Sequence, residues 1–198
     1  MIKLSGVHGT TASCADQIEQ EGFRLSQGYR GEGIYFWREN AYAEDLAIGW
    51  YLTSISQGHH SQETDKRCAI ISASINVDDD EFVSLEPPNI KDHIANLFKK
   101  SNYKDHINAI KFYEEFFEFL ELELNHPLKV VEFAFPAPKK CQLYPRQALG
   151  MPIAYLVRKA DCVSSLVIKK LEQSELESWK TANESTKQLS RYLPNYSQ

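Results

Sequence analysis

Two short stretches of the chain carry residue types able to do chemistry. The first is His8-Gly9-Thr10, at the end of the apolar run Ile2 to Val7. The second is Gly33-Ile34-Tyr35-Phe36, which closes the glycine-rich stretch Gly28-Tyr29-Arg30-Gly31-Glu32-Gly33. Glycine at a strand end lets a ligand approach the backbone N–H and C=O together, and that pair reads an amide. The imidazole beside it can bond a hydroxyl, and Thr10 adds a hydroxyl of its own. Tyr35 offers a flat ring, whereas Phe36 reads as core. Arg24 and Arg30 lie between the two stretches, where a cation can meet a phosphate.

These residues need elements to hold them. Ile2 to Val7 reads as a strand running into a turn at His8-Gly9-Thr10-Thr11, and Thr11 or Ser13 can cap a helix over about 14–21 that ends at Gly22. Ile34-Tyr35-Phe36-Trp37 is a second strand, followed by an alanine-rich helix from Asn40 to about Leu52. Residues 53–67 are polar and aperiodic, which predicts an exposed loop. His59-His60 falls in it with no third ligand at regular spacing, so no metal site is predicted. Cys68 to Val77 is a buried strand, stopped by the acidic turn Asp78-Asp79-Asp80-Glu81. From Ile90 to Leu124 apolar residues recur at three- and four-residue steps, which predicts a two-helix insertion. Leu128 to Phe135, Cys141 to Tyr144, Ile153 to Val157 and Val163 to Ile168 read as extended. Leu171 to about Tyr192 is a terminal helix. Strands and helices mix without regular alternation, so the expected class is α+β.

The 198 residues, 42% of them hydrophobic, suffice for one domain spanning 1–198, with the insertion at about 90–125 and the last helix at about 171–193. Lys+Arg number 22 against 27 Asp+Glu, a net charge of -5, so no overall basic field is present to hold a polyanion. Nucleic acid would need a local patch such as Lys99-Lys100, Lys139-Lys140 or Arg158-Lys159. Cys14, Cys68, Cys141 and Cys162 are widely spaced, which favours reduced thiols over a disulfide framework. Neither a signal peptide nor a membrane span is legible, and the expected location is the cytoplasm.

The order His8-Gly9-Thr10, a helix ending in Gly22-Phe23, Gly31-Glu32-Gly33-Ile34-Tyr35-Phe36 and an alanine-rich helix resembles the ADP-ribosyltransferases of the poly-ADP-ribose polymerase-like, or diphtheria-toxin-like, branch. The resemblance is specific over residues 3–52. It implies a split mixed sheet with flanking helices, and NAD as substrate without a metal. His8 would contact NAD ribose, the Gly9 backbone would hold the nicotinamide amide with Thr10 and Gly33 beside it, and Tyr35 would pack on the nicotinamide. Arg24 and Arg30 would face the pyrophosphate. Leu46 falls near the place of the family's second ring-covering aromatic, with Tyr42, Trp50 and Tyr51 as substitutes. The third catalytic residue, commonly a glutamate opening a late strand, falls on Gln142, with Gln147 and Glu132 as alternatives. A glutamine there favours single transfer over polymer elongation, because an amide dipole stabilises a developing cation less than a carboxylate does. The expected activity is mono-ADP-ribosylation of RNA, DNA or protein. Size and fold resemble intracellular bacterial toxins of toxin-antitoxin or phage-defence systems, with an antitoxin as partner. NAD glycohydrolase activity and a silent interaction module are the alternatives.

Overall fold

The computed structural model describes the backbone of residues 1–100 and 106–192, and within these the side chains of all but 106–109 and 187–192. In chain order the elements are β1 (Ile2–Thr11), α1 (Ala12–Glu21), β2 (Ser26–Gly28), β3 (Gly31–Arg38), α2 (Ala43–Ser56), β4 (Cys68–Val77), β5 (Phe82–Ser84), α3 (Pro88–Lys100), α4 (His106–Leu124), β6 (Val130–Ala134), α5 (Arg146–Leu149), β7 (Ile153–Val157), β8 (Val163–Lys170) and α6 (Gln173–Tyr192). The fold is α+β. Its mixed sheet has the order β5-β6-β7-β3-β1-β4-β8, with β2 as a further partner of β3. Among the described strands only β5 and β6 pair in parallel.

Both faces of the sheet are covered, so the central strands are apolar on both sides. On β4, Ile70 packs into the larger core with Leu46 and Ala47 of α2 and Phe116 and Phe117 of α4. Ile71 faces the other way, against Ala15 of α1, and Ile75 joins Ile34 and Phe36. α1 starts where Thr11 Oγ1 accepts the Cys14 N–H at 3.3 Å, and it ends at Gly22, whose φ of 80° suits glycine. Among the described residues no helix is long and apolar enough to cross a membrane.

Several elements differ from the sequence-based expectation. β1 runs on through His8-Gly9-Thr10 to Thr11, because β4 pairs it along its full length, so these residues lie in a strand instead of a turn. α2 begins at Ala43 and extends to Ser56, taking the first residues of the expected 53–67 loop. Buried Ser54 and a bond from Thr53 Oγ1 to the Gly49 carbonyl keep that last turn helical. Cys141 to Tyr144 is no strand. It lies between Pro138 and Pro145, and Asn183 of α6 accepts the N–H groups of Gln142 and Leu143 in place of a neighbouring strand. The short strands β2 and β5 and the one-turn α5 carry no periodicity that the sequence could show.

Candidate functional site

One edge of β1 is paired with β4 throughout, from Ile2↔Val77 to Thr11↔Cys68. On the other edge the ladder with β3 is limited to Gly6↔Arg38 and Val7↔Trp37, and beyond Val7 the two strands part. Backbone groups alternate in direction along a strand, and two bonds fix the phase here. Glu39 N donates to Ser5 O at 3.0 Å on the β3 side, and Ala12 N donates to Arg67 O at 2.8 Å on the β4 side. Odd-numbered residues of β1 therefore point their N–H and C=O toward β3. Gly9 points both into the gap. The same register sets Gly9 opposite Tyr35, whose carbonyl is bonded by His8 Nδ1 at 2.9 Å. Gly9 must be glycine, since a Cβ there would run into the Ala47 carbonyl of α2.

The gap opens into a cavity of about 390 Å³, within the range of small-molecule sites, roughly 300–1,000 Å³. It passes between the two faces of the sheet. α1 contributes Cys14, Gln17 and Ile18, and α2 contributes Trp50 and Ser54. Phe23, Gly28 and Tyr29 come from the segment between α1 and β3, and His60, Phe135 and Ala154 from farther along the chain.

His8 is wedged edge-on against Phe23 and Phe36, with ring centroids 5.5 and 5.8 Å away. Burial lowers its pKa, the bond to the Tyr35 carbonyl opposes that shift, and His60 adds to it. The ring is therefore neutral at neutral pH. A carbonyl only accepts, so Nδ1 carries the proton and Nε2 is left as an acceptor. Tyr35 is held by its hydroxyl, which donates to the Gly31 carbonyl at 2.8 Å and accepts from Arg30 N at 3.0 Å. Burial pushes this phenol up to about 12, so it serves as a wall and not as a base. Its ring crosses β2 at Gly28, where a side chain would collide with it. Phe135 centres an aromatic cluster, 5.7 Å from Tyr29, 5.9 Å from Trp37 and 6.3 Å from Trp50.

Of the residues singled out in the sequence, His8, Gly9, Thr10, Arg24 and Tyr35 line this one cavity. Arg24 is ion-paired with Glu21 at 2.5 Å, and both are largely exposed at the mouth. Arg30 lies elsewhere, its guanidinium 4.0 Å above the Tyr113 ring and 5.5 Å from Phe133. Gly33 also does not line the cavity; it lets β3 pack closely on Leu156 of β7. Leu46 is buried in the larger core, and Trp50, one turn later on α2, reaches the cavity in its place.

None of the three candidates for the third catalytic position lines the cavity. Gln142 turns back to the Lys139 carbonyl, Glu132 binds Ser84 and Arg38, and Gln147 is exposed on α5. The strand beside β3 is β7, which contributes Ala154. Among the described residues Glu21 is the one carboxylate in the lining. Sequence reasoning gave Phe135, Tyr29 and Cys14 no part in the site and set His60 aside in an exposed loop, whereas His60 is partly buried and lines the cavity. Of these only the aromatic character of Phe135 beside Pro136 was visible, and it gave no sign of a partner on α2.

Compared with families of known proteins and with curated proteins, the sequence finds no match.

Proposed function

We propose that the chain is an NAD-dependent mono-ADP-ribosyltransferase whose NAD sits in the gap between β1 and β3. The carrying observation is the Gly9 backbone pair, turned into a cavity that His8 and Tyr35 also line. A carboxamide carries N–H donors and a carbonyl acceptor on one flat group, and the Gly9 C=O and N–H complement one N–H and the carbonyl. His8 Nε2 accepts from a ribose hydroxyl. Tyr35, Trp50 and Phe135 give the pyridinium an aromatic surround that favours its positive charge, and that charge is lost as nicotinamide leaves. In the reaction the bond between ribose C1′ and the nicotinamide nitrogen breaks, with the pair going to nitrogen. The acceptor then attacks C1′ and gives up its proton. With Glu21 as the one lining carboxylate among the described residues, and that one ion-paired with Arg24, the site favours a single transfer over chain elongation.

The same observation favours a second reading, a chain that binds NAD without turning it over, because no carboxylate opens β7. One experiment separates the two. Protein is incubated with labelled NAD and a cell lysate, free nicotinamide is measured, and the products are split by protease and by nuclease. The transferase reading expects label in a macromolecular fraction, most of which His8→Ala removes. NAD binding with no label and no nicotinamide would leave the binding module, and nicotinamide without label would mean water is the acceptor. If the acceptor is essential, as in an intracellular toxin, expression arrests growth and His8→Ala relieves it.

A further inference from the structure

Beside the cavity, three side chains of metal-binding type meet from two distant parts of the chain. Cys14 sits in the first turn of α1, and His60 and Glu63 in the segment joining α2 to β4. Their ligand atoms all lie within 4.8 Å of one another, and Cys14 Sγ is 3.9 Å from His60 Nδ1. All three are partly buried. We propose that Cys14, His60 and Glu63 bind a zinc ion at the rim of the cavity.

The donor set argues for this ion. A thiolate and an imidazole exclude magnesium and calcium, which take oxygen ligands, and suit zinc, which accepts sulfur, nitrogen and carboxylate oxygen together. Ligand atoms of a tetrahedral zinc stand roughly 3.5 Å apart, so the Cys14–His60 spacing needs only a few tenths of an ångström of closure. A thiolate and a carboxylate also balance a divalent charge, which a partly buried place requires.

The segment carrying two of the ligands is stitched to the helix carrying the third, one residue away. Ser13 Oγ accepts the Asp65 N–H at 2.7 Å and donates to the Asp65 carbonyl at 3.0 Å, while Ser13 N donates to that carbonyl at 3.1 Å. Asp65 is in turn held by the Arg67 guanidinium through both carboxylate oxygens, and the Tyr51 hydroxyl donates to the Lys66 carbonyl. The ligands are thus brought together before any ion arrives. Three protein ligands leave a fourth tetrahedral position, as in catalytic zinc sites. Cys14 and His60 both line the cavity, so that position lies at its rim and takes water or an anionic group of a bound ligand. The site stands whether or not the cavity binds NAD.

The test uses the full chain, stripped with a chelator and titrated with Zn²⁺ against a competing indicator, and in parallel with Co²⁺, whose absorption reports thiolate ligation. The expected result is one ion per chain and a thiolate-to-cobalt band. Cys14→Ser should abolish the band, and Cys14→Ser and His60→Gln should each weaken zinc by about 10–100-fold or more, since even outer partners of a zinc site command that range. Glu63→Gln should weaken zinc while keeping the band. Circular dichroism of the stripped variants checks that they fold. No stoichiometric zinc, or zinc binding unchanged in folded Cys14→Ser and His60→Gln, would overturn the proposal and leave a thiol–imidazole hydrogen bond alone.

Discussion

The two edges of β1 are made from the same ten residues and do opposite things. Toward β4 the ladder is unbroken, and even-numbered residues such as His8 and Thr10 spend their backbone groups in it. Toward β3 it stops after Val7, and Gly9 keeps an N–H and a C=O for something else. The difference arises from the side chains. Phe36 and Phe23 wedge the His8 ring into the parting, where it bonds the Tyr35 carbonyl. α2 presses the Ala47 carbonyl against Gly9 from the larger-core side. A strand becomes a binding edge where a ring replaces a backbone partner and a helix seals one face. Backbone amides left open in this way need a ligand or water to satisfy them.

That contrast can be broken hardest at Gly9. Gly9→Val drives a side chain into a helix backbone, and overpacking of this kind costs about 1–3 kcal/mol; we expect a lowered Tm and loss of NAD binding by calorimetry. His8→Ala removes the ring from the parting. It should weaken NAD by about tenfold, near the net worth of one hydrogen bond, with the fold retained; unchanged affinity would take His8 out of the site. Tyr35→Phe keeps the ring and leaves the Arg30 N–H and Gly31 carbonyl without the phenol, so stability should fall by about 1 kcal/mol in a denaturant titration while affinity holds.

The pH dependence follows from His8, whose folded pKa lies below the unfolded value. Above the unfolded pKa of about 6.5 both states are neutral and the full stability is present. As pH falls below it, the unfolded chain binds a proton that the folded chain refuses, and stability declines. Unfolding curves of His8→Gln should show a shallower acid decline than the parent. The smallest effect is the most local: in hydrogen exchange the Gly9 amide should exchange faster than those of His8 and Thr10, and NAD should slow it selectively.

Part of the cavity lining was legible in the primary structure. His8, Gly9 and Thr10 could be singled out because glycine marks a close backbone approach, which needs no knowledge of the partner, and Tyr35 through its place in the resemblance. Leu46 could not be separated from Trp50 by counting, since the two stand one turn apart on the same side of α2, and only the packing of that helix on the sheet decides which is sealed in the core and which reaches the cavity. Gln142 was reached by spacing along an assumed strand, and that strand does not form because Asn183, some forty residues later, takes its N–H groups.

The sequence by itself determined the class of fold, the strands that alternate or run apolar, and the glycines that let backbone approach backbone, because these depend on neighbours along the chain. Only the tertiary structure decided which edge of β1 stays open, that Phe135 and Trp50 share one wall, and that Cys14 meets His60 and Glu63. Each of these joins segments far apart in sequence, and their meeting is set by how the helices pack on the sheet, which no local pattern encodes.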